Sequence, residues 1–368
     1  MSHGGVPGGE RKVSTRDRTE LHRQICAWVA VRSPGAIVSG LSSSSANGFS
    51  SETLMFNIET DGTTRECVLR LPPDPAALPA FEHYDMAKQY RAMQLVAERT
   101  TVPVPPLLWL EEDPTLLGAP FFVMGRVDGV VPPDKPPYVF GGNFLFDAAP
   151  DEAARLQRSS IEVVAALHRI GTESAGFLEP TAVGATPLRR HLAEQRAYYD
   201  WVVADSERSP LLERALRWLE ASVPDESPAA FSWGDSRIGN IMYRNFQPVA
   251  VLDWEMASIA PPQVDLGWMI FLHRFFHDLA TPLGFPGMPG FMCHDDVRAT
   301  YHELTGDDPG DLRWYMAYAA IRQGIIMFRI TRRQVMFGEK EPFDNPDHSI
   351  RHHATIAAML DGSHWDSL

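Results

Sequence analysis

The apolar residues of this chain change their rhythm part-way along it, and that change limits the folds open to it. In the first third they fall in short runs of strand type. Ala36 to Leu41, Glu52 to Ile58 and Glu66 to Leu71 each read as a strand, the last two joined across an Asp61-Gly62 turn signal. A helical stretch, Thr19 to Val31, precedes them and stops at Pro34-Gly35, and a longer one, Phe81 to Glu98, follows. Pro103, Pro105 and Pro106 then break the chain before two more strands, Leu107 to Glu111 and Pro120 to Val127. Gly129 to Gly142 (GVVPPDKPPYVFGG) reads as a linker, and beyond it the spacing turns helical: Asp151 to Ile170, Leu188 to Val203, Leu211 to Leu219, Gln263 to Ala280 and Leu312 to Arg333. The pattern is that of an α+β protein, strands first and helices after. One break in the helical part, Phe231 to Trp254, carries a loop and short strands.

Composition narrows the partners. The chain has 368 residues, 44% hydrophobic and 22% charged, which fits a folded protein of two domains or two lobes and excludes disordered and fibrous classes. Its net charge of −14 is of the wrong sign for gripping a nucleic-acid backbone, and it would favour cationic or neutral small molecules over anionic ones. Cys26, Cys67 and Cys293 form no Cys-x-x-Cys pair, so neither a disulfide framework nor a zinc finger is expected. No apolar run approaches the ~18 residues of a membrane span. The leader MSHGGVPGGERK lacks the apolar stretch of a secretory signal and reads as a flexible tail, so a cytoplasmic location is expected.

The chemistry concentrates in the break. Trp233-Gly234-Asp235-Ser236-Arg237-Ile238-Gly239-Asn240 is followed by the strand Val249 to Leu252 and then by Asp253-Trp254-Glu255. An Asp, an Asn five residues on and an Asp at the end of the next strand offer oxygen-only ligands and a carboxylate base from one β-hairpin. Mg²⁺ takes oxygens in octahedral geometry and is held by one or two protein groups plus substrate phosphates, while a separate carboxylate orients an attacking hydroxyl. Read without wider context, the same residues would equally suit an Asx-rich loop capping the hairpin.

The match extends further. With Gly234, Asp235 and Asn240, then Leu252-Asp253, then Asp265-Leu266, the chain resembles the aminoglycoside phosphotransferase-like family, small-molecule kinases with the protein-kinase fold. Trp233 stands where that family's pattern has His. The resemblance implies Asp235 as catalytic base, Asn240 and Asp253 as holders of Mg²⁺, Asp265 as a structural or loop-orienting acid, and ATP or GTP as phosphoryl donor. It also implies a protein-kinase-like two-lobed fold with a small antiparallel-sheet lobe and a mainly helical lobe. Residues 1–18 are then a flexible tail, 19–127 the nucleotide-binding lobe ending in a hinge, and 128–368 the catalytic and acceptor-binding lobe.

The first third fits the same order. Between the first two strands lies a Ser/Gly loop, with Ser44, Asn47, Gly48, Ser50 and Ser51, whose backbone amides and hydroxyls can approach phosphates; it is not a Walker loop. Period-two alternation puts Val68 and Arg70 on one strand face and Cys67, Leu69 and Leu71 on the other. Arg70 sits where the family carries a phosphate-contacting Lys, and a guanidinium can bind phosphate bidentately. The helix that follows offers Gln89 where a Glu would pair with this cation. Met124, Gly125 and Val127 resemble the family's hinge, a strand end whose Gly125 carbonyl and Val127 amide face an adenine edge. His168, on a helix burying Ile161 and Leu167, reads as structural. The aromatic and Met-rich helix around Trp314, Tyr315, Met316, Tyr318 and Met327 reads as core before pocket lining.

The function expected is transfer of the γ-phosphate of ATP or GTP to a hydroxyl of an unidentified small molecule. Two rivals remain open in the sequence: a nucleotide-binding module that has lost transfer, and a metal-dependent phosphohydrolase using the same acids with water.

Overall fold

The computed structural model describes residues 16–43 and 51–367. These divide into two compact units, one running to Ala87 and taking in Leu108–Arg126, the other made of Lys88–Leu107 and Val127–Leu368.

The first unit holds helix α1 (Arg18–Arg32) and a five-stranded sheet of β1 (Ile37–Ser43), β2 (Glu52–Thr60), β3 (Thr63–Leu71), β4 (Leu107–Glu111) and β5 (Phe121–Gly125), in the order β1-β2-β3-β5-β4. Asp17 starts α1, its side chain accepting the amides of Thr19 and Glu20. Arg16 beside it donates to Glu52 and to the Pro72 carbonyl, so this end of the expected tail is tied to the sheet. The Asp61-Gly62 turn has both residues at positive φ (51° and 75°), which brings Thr60 opposite Thr63 and fixes the β2–β3 register. That register makes the alternation real: Cys67, Leu69 and Leu71 are buried with Leu54, Phe56 and Ile58 against Leu21, Ile25, Trp28 and Val29 of α1, and Val68 and Arg70 lie on the other face.

The second unit opens with α2 (Met86–Arg99), whose last twelve residues belong to it. Helices α3 (Pro150–Leu167), α4 (Pro187–Val202) and α5 (Pro210–Ala221) follow, then β6 (Ala230–Ser232), the hairpin β7 (Ile241–Arg244) and β8 (Gln247–Val251), and β9 (Ser258–Ala260), which pairs with β6. After them come α6 (Gln263–Ala280), α7 (His294–Thr305), α8 (Arg313–Met336) and α9 (His353–Asp361). Asn245 and Phe246, both at positive φ, make the two-residue turn between β7 and β8. α6 is the central element, buried from Gln263 to His273. It packs on α8 at Gly267, where a Cβ would stand 2.7 Å from the Tyr315 carbonyl carbon, so only glycine allows this approach.

Two expectations need correction. α2 begins at Met86, not Phe81, because the Phe81 amide donates to the Tyr84 hydroxyl in a local bend in place of a first helical turn. The Pro-rich stretch Gly129 to Gly142 is no free linker: Val130 exchanges backbone hydrogen bonds with Tyr243, and Tyr138 and Val139 are buried. Its prolines keep it out of long helices and strands, yet a single 3-10 turn at Tyr138–Phe140 carries Tyr138 into the core. The break at Phe231 to Trp254 is, as read, a loop between short strands, and Tyr315, Met316 and Tyr318 are core residues of α8.

Candidate active site

β6 delivers the chain to Trp233, and there the backbone is caught by one carboxylate. Asp265, on the first turn of α6 and fully buried, accepts the Ser232 hydroxyl (3.0 Å), the Trp233 amide (2.8 Å), the Gly234 amide (2.8 Å) and His168 Nε2 (3.1 Å). Burial alone would raise its pKa, but the hydrogen bonds from His168 and from the Gly234 and Trp233 amides outweigh that and hold it below its ordinary value. Ser236 adds a bond from its hydroxyl to the Asp265 carbonyl, and the Tyr301 hydroxyl lies 2.9 Å from Nδ1 of His168. Gly234 must be glycine on two counts: its φ is +87°, and a Cβ would sit 2.0 Å from the Met256 carbonyl oxygen. His168 is structural, as expected.

The loop so held presents Asp235. Its Oδ1 accepts the indole Nε1–H of Trp268 at 2.7 Å and its Oδ2 accepts the Asn240 amide at 2.6 Å, while Arg237 Nε stands 3.6 Å from Oδ1. The side chain is 17% exposed, so it is oriented by the protein yet open to a small molecule. Burial raises its pKa, and the charge of Asp253 adds to the rise; Arg237 and the two hydrogen bonds oppose it without cancelling it. Arg237 is itself gripped by Asp134, both of whose oxygens lie 2.9 Å from Nη1. Trp233, in the place of the family's His, donates its indole N–H to the Leu252 carbonyl and tilts against Trp254.

Asn240 and Asp253 are drawn together by the backbone: Ile241 pairs with Val251, and the Leu252 amide donates to the Asn240 carbonyl at 2.9 Å. Asp253 follows with φ of +55°, a strained conformation for a residue with a side chain. An Asn oxygen and one carboxylate are the hard oxygen donors that Mg²⁺ takes. Among the described residues no group of three or more His, Cys, Asp or Glu gathers to hold a metal, so a cation here would complete its shell from phosphate and water.

Of the expected nucleotide contacts, Ser51, Val68, Arg70, Met124 and Gly125 belong to the first unit and Val127 to the second. Val68 pairs with Met124, and Arg70 pairs with Thr53 and donates to its hydroxyl at 3.0 Å. Ser51 is buried at the head of β2, and Gln89 is buried on α2. Ser44, Asn47, Gly48 and Ser50 fall outside the described residues.

Residues 46–300, well over half of the chain, match the sequence pattern of the phosphotransferase enzyme family. The chain belongs to that family. Its fold is the kinase-like one of aminoglycoside phosphotransferases. A Ralstonia eutropha protein named as a candidate aminoglycoside phosphotransferase superposes with a TM-score of 0.65, at 24% identity, over 95% of this chain and 99% of that one. Aminoglycoside phosphotransferase APH(4)-Ia, solved as a thermostable mutant with AMP-PNP and hygromycin B, superposes at 0.56, with 18% identity, over 92% and 99%. Among curated proteins, mouse (Mus musculus) acyl-CoA dehydrogenase family member 10 is 24% identical over 74% of this chain, and the probable acyl-CoA dehydrogenase IBR3 of Arabidopsis thaliana 22% over 79%. The matches span only 25% and 36% of those two longer proteins.

Within this phosphotransferase family member the structure adds residues that the sequence reading passed over: Trp268, Arg237 with Asp134, and Ser232 with Ser236. Trp268 had a signal. It lies three residues after Asp265 on one helix and therefore on a neighbouring position of the same face. No helix of the described residues is long and apolar enough to cross a membrane.

Proposed function

We propose that this phosphotransferase family member moves the γ-phosphate of ATP or GTP to a hydroxyl of a small molecule, with Asp235 as the base. The observation that carries the reading is the geometry of Asp235: a carboxylate fixed by Trp268 and Asn240, on a loop clamped by Asp265, with Asp253 beside it and its own pKa raised. A raised pKa makes the ionised carboxylate a better proton acceptor. In the step itself the acceptor oxygen bonds to the γ-phosphorus, the bond to the bridging oxygen of the nucleoside diphosphate breaks, and the hydroxyl proton passes to Asp235.

Asn240 and Asp253 are the groups that would hold Mg²⁺, which when bound neutralises phosphate charge. Arg70, on the sheet face away from α1, supports a nucleotide site above that face, with Val68 and Met124 as its apolar floor and the Ser/Gly loop from Ser44 to Ser51, with Asn47, Gly48 and Ser50, as its phosphate cover. Gly125 and Val127 would offer backbone groups to the base. The ternary complex of APH(4)-Ia with AMP-PNP and hygromycin B supports a division here into a nucleotide and a second small molecule.

The test is incubation with ATP, Mg²⁺ and a metabolite extract, with mass spectrometry for molecules that gain a phosphate, set beside Asp235→Asn. The variant should lose about 10²- to 10⁴-fold in turnover with little change in nucleotide affinity. Wild-type turnover in Asp235→Asn would end the assignment, and phosphate release from ATP at the same rate without any acceptor would point to a hydrolase.

A further inference from the structure

One strongly basic group inside the second unit takes no part in this chemistry. Arg322 of α8 is 2% exposed, and its guanidinium carbon lies 4.6 Å over the Trp268 ring and 5.5 Å from the centre of the Tyr318 ring. Its Nε and Nη1 are closed off from solvent and have no hydrogen-bond partner. The acids whose charge reaches it are Asp265 and Asp235. Both are already engaged, Asp265 by four donors of the clamped loop and its helix neighbour, Asp235 by Trp268 and Asn240. His191, across on α4, supplies no charge of either sign: burial and then the nearby Arg322 drive its pKa down to about 3, and its Nδ1 meets the Tyr318 hydroxyl at 2.5 Å.

A guanidinium carries five N–H donors and no acceptor. Burying such a charge with two of its nitrogens unpartnered costs stability, and a desolvated stack on indole returns only part of that. The fold therefore keeps, at a cost, a fork suited to carboxylate or phosphate. Its position is specific as well. Trp268 touches both groups, its ring face under Arg322 and its N–H edge on Asp235, so the fork and the base stand one indole apart.

We propose that Arg322 is the recognition group for an oxyanion on the acceptor: the alcohol that presents its hydroxyl to Asp235 carries a carboxylate or a phosphate that seats on the Arg322 fork. This rests on the phosphotransfer reading and adds the substrate class. It also reverses the expectation drawn from net charge, because surface charges more than about 8 Å away are largely screened at physiological salt, while a buried cation is not.

The experiment has an arm that needs no turnover. Thermal midpoints of the wild type and of Arg322→Met are followed in malonate and in inorganic phosphate at constant ionic strength. At least one of the two anions should raise the wild-type midpoint and leave Arg322→Met unmoved, and which of them does so separates a carboxylate from a phosphate. Without added anion Arg322→Met should melt no lower than the wild type, since an apolar side chain replaces a buried unpaired charge. Equal responses of the two proteins, or a large drop in the variant's midpoint, would assign Arg322 to structure and overturn the proposal. In the second arm the molecules that gain phosphate from the extract should already bear a carboxylate or a phosphate. Arg322→Met should raise their KM about tenfold or more, with Arg322→Lys in between and nucleotide affinity unchanged. Neutral or cationic acceptors, or a wild-type KM in the variant, would also overturn it. If no molecule gains phosphate, it is the phosphotransfer reading that fails, and the first arm still decides the anion site.

Discussion

Replacing Trp268 by Phe takes one donor away from Asp235 and leaves an aromatic face beneath Arg322. The bond lost is short, 2.7 Å from Nε1 to Oδ1, and it ends on a carboxylate that is only 17% exposed. Hydrogen bonds to charged groups contribute about 1.5–3 kcal/mol, and the ionised carboxylate loses support of that order. The bond favours the ionised form, and its loss therefore raises the pKa further, in the same direction as burial and the charge of Asp253 already push it. Asp235 can take a proton only when ionised. The acid limb of the kcat/KM profile for phosphate transfer should accordingly shift to higher pH, while the loss well above that limb stays under about tenfold because Asn240 still holds Oδ2. The profile is measured with saturating nucleotide from about pH 4 to pH 9. An acid limb unmoved from that of the wild type would refute the view that Trp268 tunes this base.

Asp265→Asn removes the ionised acceptor of four donors and should cost about 3–5 kcal/mol in denaturant unfolding. Because folding holds this carboxyl below its ordinary value, its contribution is present above about pH 4 and fades as pH falls through the folded-state pKa, so the gap between wild type and variant should narrow in acid. Gly234→Ala places a Cβ 2.0 Å from the Met256 carbonyl oxygen at φ +87° and should destabilise by about 3 kcal/mol or more; a thermal midpoint equal to the wild type's would mean that the loop adjusts at no cost. Arg70→Ala should raise the nucleotide KM and lower kcat, with Arg70→Lys recovering part of the loss, and unchanged nucleotide kinetics would move the phosphate site away from β3.

What could be read from the sequence was local or periodic. The Asp61-Gly62 turn and the two-residue alternation placed Val68 and Arg70 opposite Cys67, Leu69 and Leu71, and the strands and helices followed within a few residues. The Asp235, Asn240 and Asp253 set lies within one hairpin and its flanks, so spacing alone brought it together. What escaped was long-range. Arg237 meets Asp134 across 103 residues, and His168 meets Asp265 across 97, pairings that no local pattern encodes. The stretch from Gly129 to Gly142 misled because prolines report on backbone regularity and say nothing of whether Tyr138 will bury its ring. Arg322 is one of five arginines on α8, and a basic residue there reads as a surface position until its burial is known.

The clamp on Asp265 has a bearing on how such chains are found. Two of its four bonds come from the main chain of Trp233 and Gly234, and none from the Trp233 side chain. Whatever residue stands at position 233 contributes the same amide. Its side chain has only to fill the space beside Trp254 and satisfy the Leu252 carbonyl, which an indole does as it stands. The histidine of the family pattern is thus an exchangeable spelling, whereas glycine at 234 is held by a collision with Met256 that any side chain would bring. A search that insists on the histidine would pass over this chain, and one built on the glycine, the two acids and the asparagine would keep it.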